Sequence, residues 1–217
     1  MRASDRLLSF GLVEGRPVFM DEAADSYFLL EPAQEQQFFD VRARGTSRPA
    51  PELEEALGAD PAQVARACCV RLTSTIVGGG PPADRPRAVD LARAVGLLVQ
   101  TKRWIDRRPI ASILADLRLS AARAAEPEEG LAAQSASRFL RARRLIPVRR
   151  NCLLDSLALV RWLAVTGTRA TLVFGVKLHP FAAHCWVQAG SVLLNDRLET
   201  VHRFEPVRVI PCVRATP

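Results

Sequence analysis

Residues 153–165 read Leu-Leu-Asp-Ser-Leu-Ala-Leu-Val-Arg-Trp-Leu-Ala-Val, with only Asp155, Ser156, Arg161 and the indole nitrogen of Trp162 interrupting the apolar character. A helix apolar on most sides cannot lie on a surface. It has to be enclosed by other elements, so this stretch dictates a layered domain built around it. Asn151 is a good N-cap residue, which places Cys152 in the first turn. The unpaired N–H groups and the positive end of the helix dipole there stabilise a thiolate. A central helix that begins with a cysteine therefore constrains the fold and suggests chemistry at the same time.

The residues that follow supply what a thiolate nucleophile needs. Thr166-Gly167-Thr168 ends the helix, and residues 170–176 read as a strand with Leu172, Phe174 and Val176 on one face. After Pro180, residues 184–188 form a second strand. Alternation sets His184, Trp186 and Gln188 on one face, and Cys185 and Val187 on the other. Ala189-Gly190-Ser191 is a hairpin turn, and residues 192–196 return antiparallel. Register centred on Gly190 brings Asp196 near His184, so that a carboxylate can orient one ring nitrogen while the other faces Cys152. Nucleophile, base and orienting group are then all present. Taken singly, each has a blander reading: a structural cysteine, a satisfied core histidine, a strand-ending aspartate beside Arg197. The combination is what points to catalysis. His179, in the loop before Pro180, and His202 are expected at the surface. Cys152, His184, Cys185 and Cys212 contain no Cys-x-x-Cys pair, and strand neighbours point apart, so no metal is expected.

The first part of the chain is organised differently. Residues 7–13, 17–20 and 26–30 read as three short strands. A helix starts at Pro32 and stops near Gly45. Leu53, Leu57, Val64, Ala67, Cys68 and Leu72 predict two further helical pieces around a break at residues 58–61. Gly78-Gly79-Gly80-Pro81-Pro82 is the clearest linker and suggests domains at 1–77 and 83–217. It lacks the Gly-Lys-Ser/Thr of a phosphate loop, so no nucleotide cofactor is expected. Beyond it, residues 88–104, 111–117 and 131–145 read as helices. Arg138, Arg141, Arg143, Arg144, Arg149 and Arg150 read as a solvated face.

Composition narrows the function classes. At 217 residues, 48% hydrophobic and 24% charged, the chain is globular rather than disordered. No apolar run reaches the roughly 18 residues of a membrane span, and no signal core follows Met1, so a cytoplasmic protein without a membrane partner is expected. Five irregularly spaced cysteines suggest reduced thiols, with Cys68 and Cys69 as small core residues. Net charge is +7, but residues 1–60 hold 6 Arg against 12 Asp and Glu. The excess elsewhere is almost all Arg amid much Ala, a compositional bias, and no nucleic-acid partner is expected.

Cys152-Leu153-Leu154-Asp155-Ser156-Leu157, Leu172-Val173-Phe174-Gly175-Val176, Pro180-Phe181-Ala182-Ala183-His184-Cys185-Trp186-Val187 and Leu194-Asn195-Asp196 occur in this order. Over about residues 147–210 this pattern resembles the transglutaminase-like B proteins of lasso-peptide biosynthesis. Members of that family usually show a small residue after the histidine, where this chain has Cys185. The resemblance implies a triad of Cys152, His184 and Asp196. It also implies a cysteine peptidase that removes the leader from a ribosomally made precursor, without a cofactor. A separate ATP-consuming cyclase would be its partner. Residues 1–75 are similar to the family's fused leader-recognition domain, a winged-helix-like unit of three strands and three helices. There the leader adds as a strand to the third strand, here Tyr27, Phe28 and Leu29, and packs against the third helix. The fold class expected is α+β, with that small domain ahead of a papain- or transglutaminase-like domain.

Overall fold

The computed structural model describes residues 7–44, 51–78, 85–121, 129–165 and 167–210. Gly45, Cys212 and the glycine-proline run beyond Gly78 lie outside them. The chain opens with β1 (Leu8–Val13), β2 (Arg16–Asp21), β3 (Ser26–Leu29), α1 (Pro32–Arg44) and α2 (Pro51–Leu57). Glu14 and Gly15, both at positive φ, make the tight turn between β1 and β2. That turn matches the twist of paired strands. Proline's fixed φ suits the first turn of α1. Phe38 packs edge-on against Phe10 and Phe19, with ring centroids 5.0 and 5.1 Å apart. Leu53 and Leu57 complete this small core.

The third helix expected for this region is absent. Residues 62–76 instead run mostly extended through β4 (Ala65–Arg66) and β5 (Ser74–Thr75). The Ala67 N–H bonds to Phe10 O, and the Thr73 and Ile76 N–H groups bond to Ser191 O and Leu193 O. The apolar residues that suggested a helix serve two different cores. Val64 is buried with Phe10 and Phe38, and Leu72 with Trp186 and Leu193. Their helix-like spacing is incidental. Cys68 is exposed and Cys69 half-buried, both outside any helix.

The remainder comprises α3 (Ala88–Arg107), α4 (Ile110–Ala121), α5 (Glu129–Arg144), α6 (Cys152–Val165), β6 (Thr171–Lys177), β7 (Ala182–Ala189), β8 (Val192–Leu193), α7 (Leu198–Val201) and β9 (Glu205–Ile210). Strands order β3-β2-β1-β4 in the first sheet and β5-β8-β7-β6-β9 in the second. Helix α6 occupies the centre, as its composition requires. Leu157, Ala158, Leu159, Trp162 and Leu163 are inaccessible to solvent. The Trp162 indole donates to Ser135 O at 3.1 Å. One face of the second sheet covers α6, and the other carries Val173, Trp186 and Val201. The molecule is α+β, with a strand-rich N-terminal region ahead of a helix-and-sheet domain.

The two sheets meet along β1 and β9. Val13, Val18 and Met20 join the main core while Phe10 and Phe19 face α1 and α2, so β1 and β2 are buried on both faces. The approach is close: a Cβ on Gly11 would lie 2.0 Å from Pro206 O. Ser9 Oγ donates to Val207 O at 2.7 Å. Glu22, fully buried, pairs with Arg118 at 2.5 Å and with Arg208. Removing one member of a buried ion pair leaves its partners' charge uncompensated, at about 3–5 kcal/mol. Arg118 keeps some solvent contact, so Glu22→Ala should lose about 3 kcal/mol, read from urea unfolding. An unchanged urea midpoint would show that this junction carries no stability.

Candidate active site

Helix α6 starts as the sequence predicts. The Leu154 N–H donates to Asn151 Oδ1 at 3.0 Å, and the Asp155 N–H to Asn151 O at 2.9 Å. Cys152 is thereby held as the first helical residue, half-buried at the mouth of a cleft. The approach to it is fixed by Arg143, which the sequence reading placed on a solvated face. Only 1% of Arg143 is accessible. Its guanidinium donates to Asp155 Oδ1 at 2.6 Å, Ile146 O at 3.2 Å and Val148 O at 3.0 Å. The end of α5, the loop before Cys152 and the first turn of α6 are thus tied to one planar group, geometry suited to Arg rather than Lys. Arg138 is likewise paired, with Asp90.

His184 lies on β7 opposite Gly175 of β6. A Cβ on Gly175 would meet the Trp186 ring at 2.6 Å, so glycine is what lets that ring lie beside His184. Phe204 flanks the imidazole, ring centroids 5.1 Å apart. His184 Nε2 is 2.6 Å from Asp196 Oδ2, and the ring also hydrogen-bonds the Cys152 sulfur, for which Nδ1 remains. Asp196 is held by the Arg197 N–H on Oδ1 and by the Thr75 hydroxyl on its carbonyl. The structure brings Cys152, His184 and Asp196 together. His179 and His202 are exposed.

The predicted return strand over residues 192–196 is shorter than expected. Ladder pairing stops at Gln188↔Leu193 and Ala189↔Val192. Beyond it, Asn195 Oδ1 replaces a backbone acceptor for the Val187 N–H at 2.8 Å. Asn195 Nδ2 donates to Ser156 Oγ at 2.8 Å, and Ser156 Oγ donates to Cys185 O at 3.2 Å. One chain of side-chain bonds therefore joins the turn after Cys152, the residue after His184 and the residue before Asp196. The sequence pattern alone assigns Ser156, Asn195 and Arg143 no part in the site. A signal was available in Asp155 and Ser156, since polar residues inside an enclosed helix need buried partners.

These contacts set the charges. The Cys152 thiol is lowered to about 4, first by a hydrogen bond from the Cys185 side chain and then by His184. His184 is raised to about 9, first by Asp196 and then by Cys152. Burial alone would raise the Asp196 carboxyl, but bonds from His184 and the Arg197 N–H hold it below the ordinary carboxylate range. Between about pH 4 and 9 the site is a thiolate–imidazolium pair. It opens into a cleft of about 290 Å³, lined also by Phe139, Leu140 and Arg150. Among the described residues no cluster of ligand side chains could hold a metal.

Tyr27, Phe28 and Leu29 form most of β3, the end strand of the first sheet, and among the described residues no strand pairs its outer edge. Phe28 stacks on Phe19 at 5.2 Å. Tyr27 turns the other way, 6.0 Å from Phe181 just ahead of β7. Burial raises its phenol, and the charges of Cys185, Asp25 and Cys152 add to this. The Tyr27 ring, not the free edge of the strand, is what extends toward the segment ahead of β7.

Alkylation of Cys152 by iodoacetamide should stay fast from neutral pH downward and fall only toward about pH 4, following the macroscopic titration of the pair. A profile centred near the ordinary thiol value would show that the ion pair does not form.

Comparison with curated proteins and with solved structures found no match. Residues 95–209, from within α3 into β9, match the family model described as Transglutaminase-like superfamily. That span contains the enclosed helix, the strand that carries His184 and all three candidate residues, and it covers more than half of the chain. The chain belongs to the transglutaminase-like superfamily.

Proposed function

We propose that the protein is a cysteine endopeptidase that removes the leader from a ribosomally made lasso-peptide precursor, with residues 1–77 capturing the leader and residues 83–217 cutting it. The observation that carries the reading is the thiolate–imidazolium–carboxylate line Cys152–His184–Asp196, in a chain whose β3 is an end strand among the described residues. Superfamily membership supports cysteine chemistry in general, and the motif order over residues 147–210 supports the narrower activity.

In this mechanism the Cys152 thiolate attacks the scissile carbonyl. The tetrahedral oxyanion is met by the Cys152 backbone N–H, one of the first-turn donors that have no intrahelical acceptor. The His184 imidazolium gives its proton to the departing α-amine of the core. The neutral imidazole then takes a proton from water, which attacks the thioester and releases the leader as an acid. Asp196 accepts from Nε2–H throughout and keeps the ring in register. The freed amine is the nucleophile that an ATP-consuming cyclase needs. The leader would lie along β3, gaining affinity from backbone pairing and from side chains near Tyr27, Phe28 and Leu29. No helix among the described residues is long and apolar enough to cross a membrane.

The same triad serves acyl transfer to amines, which differs only in what resolves the thioester. Mass spectrometry of the products separates the two: free leader acid supports hydrolysis, and a leader–amine adduct would overturn it. Cys152→Ala should abolish turnover and His184→Ala should be about as damaging. Asp196→Asn should lower kcat by up to about 10⁴-fold while leaving a measurable rate. Leu29 is 39% exposed, so Leu29→Asp should leave the fold and Cys152 alkylation intact. Its leader affinity, read by fluorescence anisotropy, should fall about tenfold, the equivalent of about 1.4 kcal/mol. Unchanged affinity would move leader recognition away from β3.

A further inference from the structure

In the peptidase steps Cys185 forms and breaks no covalent bond; its thiol only hydrogen-bonds the nucleophile and helps to hold it as a thiolate. Strand alternation turns it away from His184 and toward the start of α6, where its side chain hydrogen-bonds the Cys152 sulfur and lines the same cleft. It is 3% accessible, against half-buried Cys152 in front of it. Both thiols are free. Of the other described cysteines, Cys68 is exposed and Cys69 packs with Leu72 and Trp186 on the opposite face of the second sheet.

We propose that this pair is a site of reversible oxidation, at which a hydroperoxide converts Cys152 and Cys185 to a disulfide. Order of attack follows from access: the cleft exposes the thiolate of Cys152, and Cys185 waits behind it. In the first step the Cys152 thiolate attacks one peroxide oxygen. An S–O bond forms and the O–O bond breaks, so sulfur is oxidised by two electrons and the peroxide reduced. The His184 imidazolium gives its proton to the leaving oxygen, which departs as an alcohol, or as water from hydrogen peroxide. In the second step the Cys185 sulfur attacks the sulfenic sulfur and gives up its proton to the departing hydroxyl. The S–S bond forms, the S–OH bond breaks, and hydroxide leaves with that proton as water.

The resting site holds Cys185 unreactive, since hydrogen bonding to the Cys152 sulfur and burial both push its thiol up. Sulfenic acid carries no such charge, so the first step itself releases the brake on the second. Closure to the disulfide withdraws Cys152 before further oxidation to the irreversible sulfinic and sulfonic acids. A dithiol reductant restores both thiols.

The test uses the full chain and hydrogen peroxide, and reads covalent state rather than peptide cleavage, so its outcome is independent of the leader-peptidase reading. Peptide mapping after oxidation should yield a Cys152–Cys185 crosslink lighter by two hydrogens, and dithiothreitol should restore iodoacetamide labelling of Cys152. In Cys185→Ala and Cys185→Ser, Cys152 should instead be trapped by dimedone as the sulfenic acid, then pass to a sulfinic acid that dithiothreitol does not reverse. Wild-type protein alone is decisive if a variant folds poorly. Cys152 found as sulfinic acid without a crosslink, or crosslinked to a different cysteine, would overturn the proposal.

Discussion

The start of α6, capped by Asn151 and pressed against β7, is the contact on which the rest of the site depends. A cap fixes where a helix begins to within one residue, because the capping oxygen must meet a particular N–H. That fixes the depth of Cys152. The enclosure of α6 by α3, α5 and the second sheet then fixes its direction, since a close-packed core tolerates little rotation. With the helix immobilised, a bond from Ser156 to the strand backbone at Cys185 sets the height of β7, and Asn195 carries the same alignment to Asp196. Three residues distant in sequence are held in line by Asn151, Ser156 and Asn195, each of which is hydrogen-bonded.

The electrostatics follow from that alignment rather than from any one group. A thiol and an imidazole in ordinary surroundings share their proton in favour of the thiol. Here the Asp196 carboxylate favours the cation, while the helix start and the donors from Cys185 favour the anion, and each charge stabilises the other. The arrangement supplies a nucleophile and a proton donor at once, as acyl transfer to sulfur requires.

Contact between the two sheets bears on how a peptide would reach the thiol. β1 and β2 bury side chains on both faces, Glu22 is sealed between Arg118 and Arg208, and β5 of the early chain already belongs to the second sheet. The Tyr27 ring rests near Phe181. In the proposed leader peptidase, a peptide paired along β3 would be held on the same body as the nucleophile. Pre-positioning of that kind raises the local concentration of the scissile bond without new contacts at the site.

Local chemistry wrote much of this into the sequence. The run at 153–165 required an enclosed helix, Asn151 required its start, and period-two alternation with a turn at Ala189-Gly190-Ser191 brought Asp196 near His184, although the observed ladder, Ala189↔Val192, is one residue out of the register centred on Gly190. Those features are legible because each depends on neighbours within a few residues. The segment at 62–76 has a helix-like apolar spacing but no helix, since Val64 and Leu72 are buried in different cores and only the tertiary structure decides which core each residue meets. The burial of Arg143 is hidden for the same reason: one cation in an arginine-rich helix carries no local mark that Asp155 and the Ile146 and Val148 carbonyls will surround it. The contact between Cys185 and Cys152 was equally hidden. Alternation showed that Cys185 turns away from His184, but only the packing of α6 on the second sheet determined that the nucleophile lies on the side to which it turns.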